Sequence, residues 1–296
     1  MARQATPKNQ MTIRGLLDWG EQSLKEAGIQ SARSESEWAL SHVLACRMSA
    51  LYLENAPITE SQRVEFVSII GQRLEGRPLQ YVLGEAFFYG RRFVVNPSVL
   101  IPRPETERLA QVVLEAISAS GWQQRPLRVL ELGSGSGCLS VTLADELPAC
   151  VVVSVDVSYG ALAITRINAQ AQQVASRVFF VCGNWMSALN MRADVIVSNP
   201  PYIPSDQVDQ LSTEVKQEPR LSLDGGSDGM RDLLQLIREA PKSLASCGIL
   251  ALECGEDQVE TLADQAQSMG VFASIVAWRD LAGRPRGILA RLPEDA

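Results

Sequence analysis

From residue 128 onward, short apolar runs alternate with stretches of helical length, and this alternation constrains the fold more than any other feature of the chain. The runs 128–133, 151–156, 178–182, 194–198 and 249–254 have the length and composition of buried strands. Helices are predicted between them over 137–147, 158–175, 229–245 and 257–269. Strands separated by helices pair in parallel, with helices covering both faces of the sheet. Two last runs, near 271–277 and 287–292, have only a short connection, which suits an antiparallel hairpin at the sheet edge. The expectation is an α/β chain with a seven-stranded, mostly parallel, doubly wound sheet.

The first 80 residues follow a different pattern. Thr12 is placed to cap a helix carrying Ile13, Leu16, Leu17, Leu24 and Ala27, which Gly28 ends. A second helix is predicted over 35–46. A third is capped by Thr59, with Val64, Val67, Ile70 and Leu74 at helical spacing. A hairpin is expected over 86–95 around Gly90, and the stiff segment 101–107 opens a helix that ends near Ser118. With 296 residues there is room for two domains. The organisation read from these patterns is an all-helical domain over 1–80, a hairpin linker over 81–100 and the α/β domain over 101–296.

Composition narrows the chemistry. A single histidine, His42, excludes His-based triads and multi-His metal sites, and no metal is expected. Six scattered cysteines with no zinc-ligand spacing read as free thiols of a reducing cytoplasm, with Cys138, Cys150 and Cys182 buried. No apolar run is long enough for a membrane span. The net charge of −7 lies entirely beyond residue 80, because residues 1–80 carry nine basic and nine acidic side chains. An acidic body is a poor partner for a phosphate backbone, so stable nucleic-acid binding is not expected.

Three stretches carry chemistry. In VLELGSGSGCLS, Gly133, Gly135 and Gly137 form a glycine-rich turn between a strand and a helix, where backbone can approach a ligand closely. The spacing differs from the dinucleotide fingerprint, and a glycine turn alone also serves plain packing. Asp156 ends the next strand. It is placed either to accept hydrogen bonds from ribose hydroxyls or to cap the following helix. Asn199-Pro200-Pro201-Tyr202 follows the fourth strand. Two prolines cannot continue a ladder, so this segment is either a proline turn or a rigid holder for a planar –NH₂ group. In the second reading the Asn199 side-chain oxygen and the Pro200 carbonyl accept the two N–H bonds, and Tyr202 packs on the face.

Together GSGSG, the acidic strand end at Asp156 and NPPY resemble class I S-adenosylmethionine-dependent methyltransferases that modify planar nitrogens. NPPY alone is shared with DNA and RNA amino-methyltransferases. A longer pattern is narrower: FYG at 88–90, IPRPETE at 101–107, GNW at 183–185, NPPYI at 199–203, EP at 218–219, LDGGSDG at 223–229 and DLAGRPRG at 280–287. This pattern resembles the PrmC/HemK family, glutamine methyltransferases that act on peptide chain release factors. The resemblance implies a Rossmann-like class I methyltransferase fold preceded by a small helical domain that helps to hold the release factor. It places Gly133, Ser134, Gly135, Ser136, Gly137, Asp156, Trp185 and Asn199 against S-adenosylmethionine, with Trp185 beside the adenine. It assigns Asn199, Pro200, Pro201 and Tyr202 to the substrate glutamine, with Asn199, Pro200 and Tyr202 catalytic. The Arg103 and Glu105 segment would line the site. Glu131 stands where many relatives carry Asp, which keeps the charge. A cytoplasmic monomer without a metal is implied, methylating the glutamine of a Gly-Gly-Gln loop.

Overall fold

A computed structural model describes residues 12–53, 57–187 and 189–294. The extension expected over residues 1–10 lies outside them. The chain divides into two compact units, one of residues 1–84 with 213–217, the other of 85–212 with 218–296.

The first unit is helical. Helix α1 (Ile13–Glu26) starts where Thr12 Oγ1 accepts the Gly15 N–H at 3.1 Å. Helix α2 (Ala32–Val43) begins three residues before its expected start and stops as Ala45 turns left-handed, at φ 49°. Helix α3 (Glu60–Leu74) has the Thr59 cap, completed by Gln62 as a capping box. A short α4 (Leu79–Leu83) was not foreseen. The buried face of α3 also differs from expectation: Val64 and Leu74 are exposed, whereas Phe66, Ile69, Ile70 and Arg73 are buried. Phe66 sets this face, meeting Trp19 of α1 edge-on at 6.1 Å. Arg73 sits among apolar groups because its guanidinium pairs with Glu35 at 2.6 Å and with Glu214.

The second unit opens with strands β1 (Glu85–Phe88) and β2 (Arg91–Val94), paired antiparallel. Tyr89 and Gly90 both take positive φ, which matches the twist of a two-residue hairpin. Phe88 and Phe93 are buried in the core of this unit, so the hairpin belongs to the α/β body. Next in the chain come α5 (Pro104–Ala119), β3 (Arg128–Leu132), α6 (Cys138–Glu146), β4 (Val151–Asp156), α7 (Tyr159–Ala171), β5 (Val178–Cys182) and β6 (Ala193–Ser198). The last elements are α8 (Ser205–Val208), α9 (Arg231–Ser243), β7 (Leu244–Glu253), α10 (Val259–Ser268), β8 (Ser274–Arg279) and β9 (Pro285–Arg291).

Seven strands form one sheet in the order β5-β4-β3-β6-β7-β9-β8, parallel except for β9, which runs antiparallel to both β7 and β8. Successive side chains of a strand point to opposite faces. Val129, Val195, Val197 and Ile249 therefore join α5 and α6 in one core, while Leu130, Ile196, Leu250 and Leu252 join α9 and α10 in the other. Each such side chain contributes about 1.5–3 kcal/mol when removed from water. β7 starts at Leu244, five residues before its expected start, and a bulge opposite Ala193 and Val195 absorbs the irregularity at Cys247, whose φ is 61°. All six cysteines are free; Cys138, Cys150 and Cys254 are buried, and Cys182 is only half-buried.

Candidate active site

β3 is the first strand of the sheet and pairs with β4 on one side and β6 on the other. The connections leaving β3 and β6 therefore diverge, and a crevice opens at their carboxyl ends. The glycine turn follows β3 and Asn199 follows β6, with Leu132 and Ser198 in register and the Ser198 hydroxyl donating to the Leu132 carbonyl at 2.6 Å. Strand order alone thus brings the two chemistry-bearing stretches side by side.

The turn is fixed from behind by α7. Gly137 caps α6 at φ 77°, and a Cβ there would stand 2.5 Å from Thr165 Cγ2. Thr165 Oγ1 donates to the Gly135 carbonyl at 3.1 Å. Asn168 Nδ2 donates to the carbonyls of Ser136 at 2.8 Å and Val94 at 2.9 Å, and its Oδ1 accepts the Val94 N–H at 2.7 Å. One buried amide therefore ties the turn to β2. Neither Thr165 nor Asn168 was foreseen. Their only signal is a pair of polar residues three apart, on one face of the helical stretch AITRINA.

Asp156 resolves its two readings through geometry. Ser158 caps α7, with its side chain accepting from Ala161, so the Asp156 carboxylate is not the cap. Instead its Oδ2 accepts the Gly135 N–H at 2.9 Å and its Oδ1 the Ser158 N–H at 2.8 Å. Burial raises its pKa, against the backbone donors that lower it. The Ser134 side chain and the Val157 backbone also bear on this carboxylate and lower its pKa. Beneath the turn, Glu131 is buried and accepts from the backbone and hydroxyl of Ser140; burial pushes its pKa up to about 8.

Asn199 leaves β6 half-buried, with its Nδ2 donating to Thr106 Oγ1 at 2.9 Å. The backbone beyond it is clamped by the LDGGSDG stretch. Ile203 donates to the Leu223 carbonyl and accepts from Gly225, each at 2.9 Å, and Gln258 Nε2 donates to the Tyr202 carbonyl at 2.9 Å. Gly225 lies so close that a Cβ would meet the Pro201 carbonyl at 2.7 Å. Across from it, buried Glu218 accepts the Ile101 N–H at 2.9 Å and pairs with Arg103.

A cleft of about 1160 Å³, counted to its open mouth, brings Arg103, Gly133, Gly135, Asp156, Trp185 and Asn199 together. Ser134, Ser136 and Pro201 also line it. Gly137, Pro200 and Tyr202 adjoin these lining residues in the chain without lining the cleft themselves. Tyr202 packs against the apolar core of α9 and α10, and burial first, then Glu253, raises its pKa. Trp185 holds a left-handed backbone at φ 50°, and its ring lies 3.4 Å from where a Gly133 Cβ would stand. An open glycine backbone, an oriented carboxylate and an indole wall in one cleft fit a nucleoside carrying a polar tail.

A doubly wound sheet of this order, with these groups at its switch point, defines a class I methyltransferase. The fold is similar to that of the hMettl16 catalytic domain in complex with a MAT2A 3'UTR hairpin, at a TM-score of 0.54 and 13% identity over 79% of this chain and 82% of that one. A family model described as methyltransferase small domain matches residues 105–220, and one described as PrmC N-terminal domain matches 15–84. The release factor glutamine methyltransferase of Geobacter sulfurreducens is 38% identical over 95% of this chain and 97% of its own. That of Nitratidesulfovibrio vulgaris is 37% identical over 95% of each. The chain belongs to the release factor glutamine methyltransferase family.

Proposed function

We propose that this protein moves a methyl group from S-adenosylmethionine to the side-chain amide nitrogen of the glutamine in the Gly-Gly-Gln loop of peptide chain release factors. The observation that carries this reading is the Asn199 amide, which enters the cleft beside the glycine turn with its nitrogen already occupied by Thr106. Family membership supports the substrate class.

S-adenosylmethionine supplies an electrophilic methyl group on a sulfonium. Asp156, oriented by the Gly135 and Ser158 N–H groups, accepts hydrogen bonds from the ribose hydroxyls. Gly133, Ser134, Gly135 and Ser136 pass beneath the methionine portion, and Trp185 walls the adenine. The Asn199 Oδ1 and the Pro200 carbonyl accept the two N–H bonds of the glutamine amide, while Pro201 and Tyr202 hold that corner rigid. An amide nitrogen is a poor nucleophile, because its lone pair is delocalised into the carbonyl. Orientation in line with the methyl group supplies much of the acceleration. The two acceptors supply more, since both hydrogen bonds strengthen as the nitrogen becomes cationic. The N–C bond forms as the C–S bond breaks, the electron pair goes to sulfur, and the proton leaves the nitrogen for water. No histidine is required.

The helical unit, read from sequence as residues 1–80, holds the release factor, and the enzyme acts as a cytoplasmic monomer. Incubation with labelled S-adenosylmethionine and a recombinant release factor, followed by peptide mass mapping, tests the assignment. One methyl group on the Gly-Gly-Gln glutamine is expected. Label entering RNA or DNA, with none in the release factor, would refute it.

A further inference from the structure

Asn199 is held by two residues that the reaction itself does not touch. Its Nδ2 donates to Thr106 Oγ1 at 2.9 Å, and Thr106 Oγ1 donates to Glu253 Oε2 at 2.8 Å. Thr106 is 3% exposed and Glu253 1% exposed, so water does not compete for either bond. The polarity of this chain follows from its proton count. An ionised carboxylate only accepts hydrogen bonds, so Thr106 gives its single proton to Glu253 and has only lone pairs to offer Asn199. Only the –NH₂ end of the Asn199 amide can meet a lone pair. The carbonyl end is therefore the one turned away, toward the cleft that Asn199 lines.

We propose that Glu253 and Thr106 are positioning residues that fix which end of the Asn199 amide faces the reacting group, so that the site selects a nucleophile that donates hydrogen bonds. This rests on the function proposed above and adds a specificity to it. A glutamine side chain presents –NH₂ to the Asn199 oxygen and is accepted. A glutamate at the same place presents only oxygen lone pairs, oxygen against oxygen, and is rejected. An Asn199 free to rotate its amide would spend part of its time offering –NH₂ to –NH₂, donor against donor.

The surroundings of Glu253 make the relay titratable. The charged groups that face it are Glu105 and Arg103 at the start of α5 and Arg286 on β9, and Tyr202 adds its phenol. Burial pushes the Glu253 carboxyl up to about 7, with Thr106 opposing the rise. A protonated Glu253 donates to Thr106, which frees the threonine proton for the Asn199 oxygen and lets the amide turn over.

The test uses full-length wild type, Thr106→Val, Thr106→Ser and Glu253→Gln, with a recombinant release factor as substrate and S-adenosylmethionine binding measured by calorimetry. Thr106→Val is expected to lower kcat about 100-fold, the effect of losing orientation at a reacting centre, while KM and cofactor affinity stay within about twofold. Thr106→Ser keeps the hydroxyl and restores kcat to within a few-fold of wild type. In wild type kcat falls below about pH 7, whereas Glu253→Gln, whose side chain gains no proton there, lacks that acid limb. A Thr106→Val kcat within twofold of wild type overturns the proposal. So does a loss of cofactor binding that parallels the loss of kcat, which would mean a merely structural role. Wild type that labels no release-factor glutamine overturns the reaction as well as the relay; normal labelling with an indifferent Thr106→Val overturns the relay alone.

Discussion

The carboxylate of Asp156 accepts the backbone N–H of Gly135 at 2.9 Å, which joins the end of β4 to the glycine turn after β3. The same carboxylate also accepts from Ser158, so its rotamer is set before any ligand arrives. Such preorganisation removes an ordering cost from binding. Asp156→Ala should therefore weaken S-adenosylmethionine binding about 10- to 100-fold, the worth of one or two hydrogen bonds to a charged group. Isothermal titration on the folded variant measures this. Unchanged affinity would remove Asp156 from the cofactor site.

Gly137 should tolerate no side chain. A Cβ there meets Thr165 Cγ2 at 2.5 Å and Thr165 Cα at 3.1 Å, and the backbone stands at φ 77°. The left-handed conformation costs an alanine about 1–2 kcal/mol, and crowding adds about 1–3 kcal/mol. Gly137→Ala should lower Tm by about 2–4 °C for each kcal/mol, which differential scanning calorimetry reads directly. A Tm equal to wild type would mean that α6 and α7 slide apart at no cost.

Asn199→Ala separates chemistry from binding. Removing one preorganised hydrogen-bonding group at a developing charge typically lowers kcat about 100- to 1000-fold. Cofactor affinity should change by no more than a few-fold, because Asp156 and the glycine turn remain. Single-turnover rates beside a binding titration distinguish the two. Near-normal turnover would exclude Asn199 from catalysis.

Stability should fall as pH rises from about 5 to about 8. Burial raises the Glu131 carboxyl from 4.5 to about 8 in the folded protein. Between those values the folded state holds a proton that the unfolded state has released, so raising the pH favours unfolding. Burial of Glu253, raised to about 7, acts in the same direction over a narrower window. Glu131→Gln removes the larger contribution and should flatten the fall, by about 1 kcal/mol or more for each pH unit within the window. Urea denaturation of both proteins at a series of pH values tests this. Parallel curves would show that Glu131 is already ionised at pH 5.

Sequence patterns carried the architecture because strand and helix periods are local. Alternation from residue 128 onward yields the seven-stranded sheet, and the Thr12 and Thr59 caps mark the starts of α1 and α3. The α3 face was misread because Val64 and Leu74 are apolar at helical spacing, while Phe66, two residues along, faces Trp19. A period identifies a stripe but not the partner that covers it. Asp156 is ambiguous for a related reason, since a carboxylate before a helix has two uses, and the Ser158 cap and the Gly135 N–H together distinguish them. Thr106 and Glu253 were invisible, being 147 residues apart and adjacent only in the folded protein.

Residues 213–217 belong to the helical unit although the chain on both sides belongs to the α/β unit. The polypeptide therefore passes between the two units three times, near 84, 212 and 217. A protease cut near 84 would leave residues 213–217, part of the helical unit, on the larger fragment. A gene cut after codon 84 would produce a bundle lacking Glu214, with the buried Arg73 guanidinium left to Glu35 and the Arg77 carbonyl. A helical unit moved as residues 1–84 alone would thus leave part of itself behind.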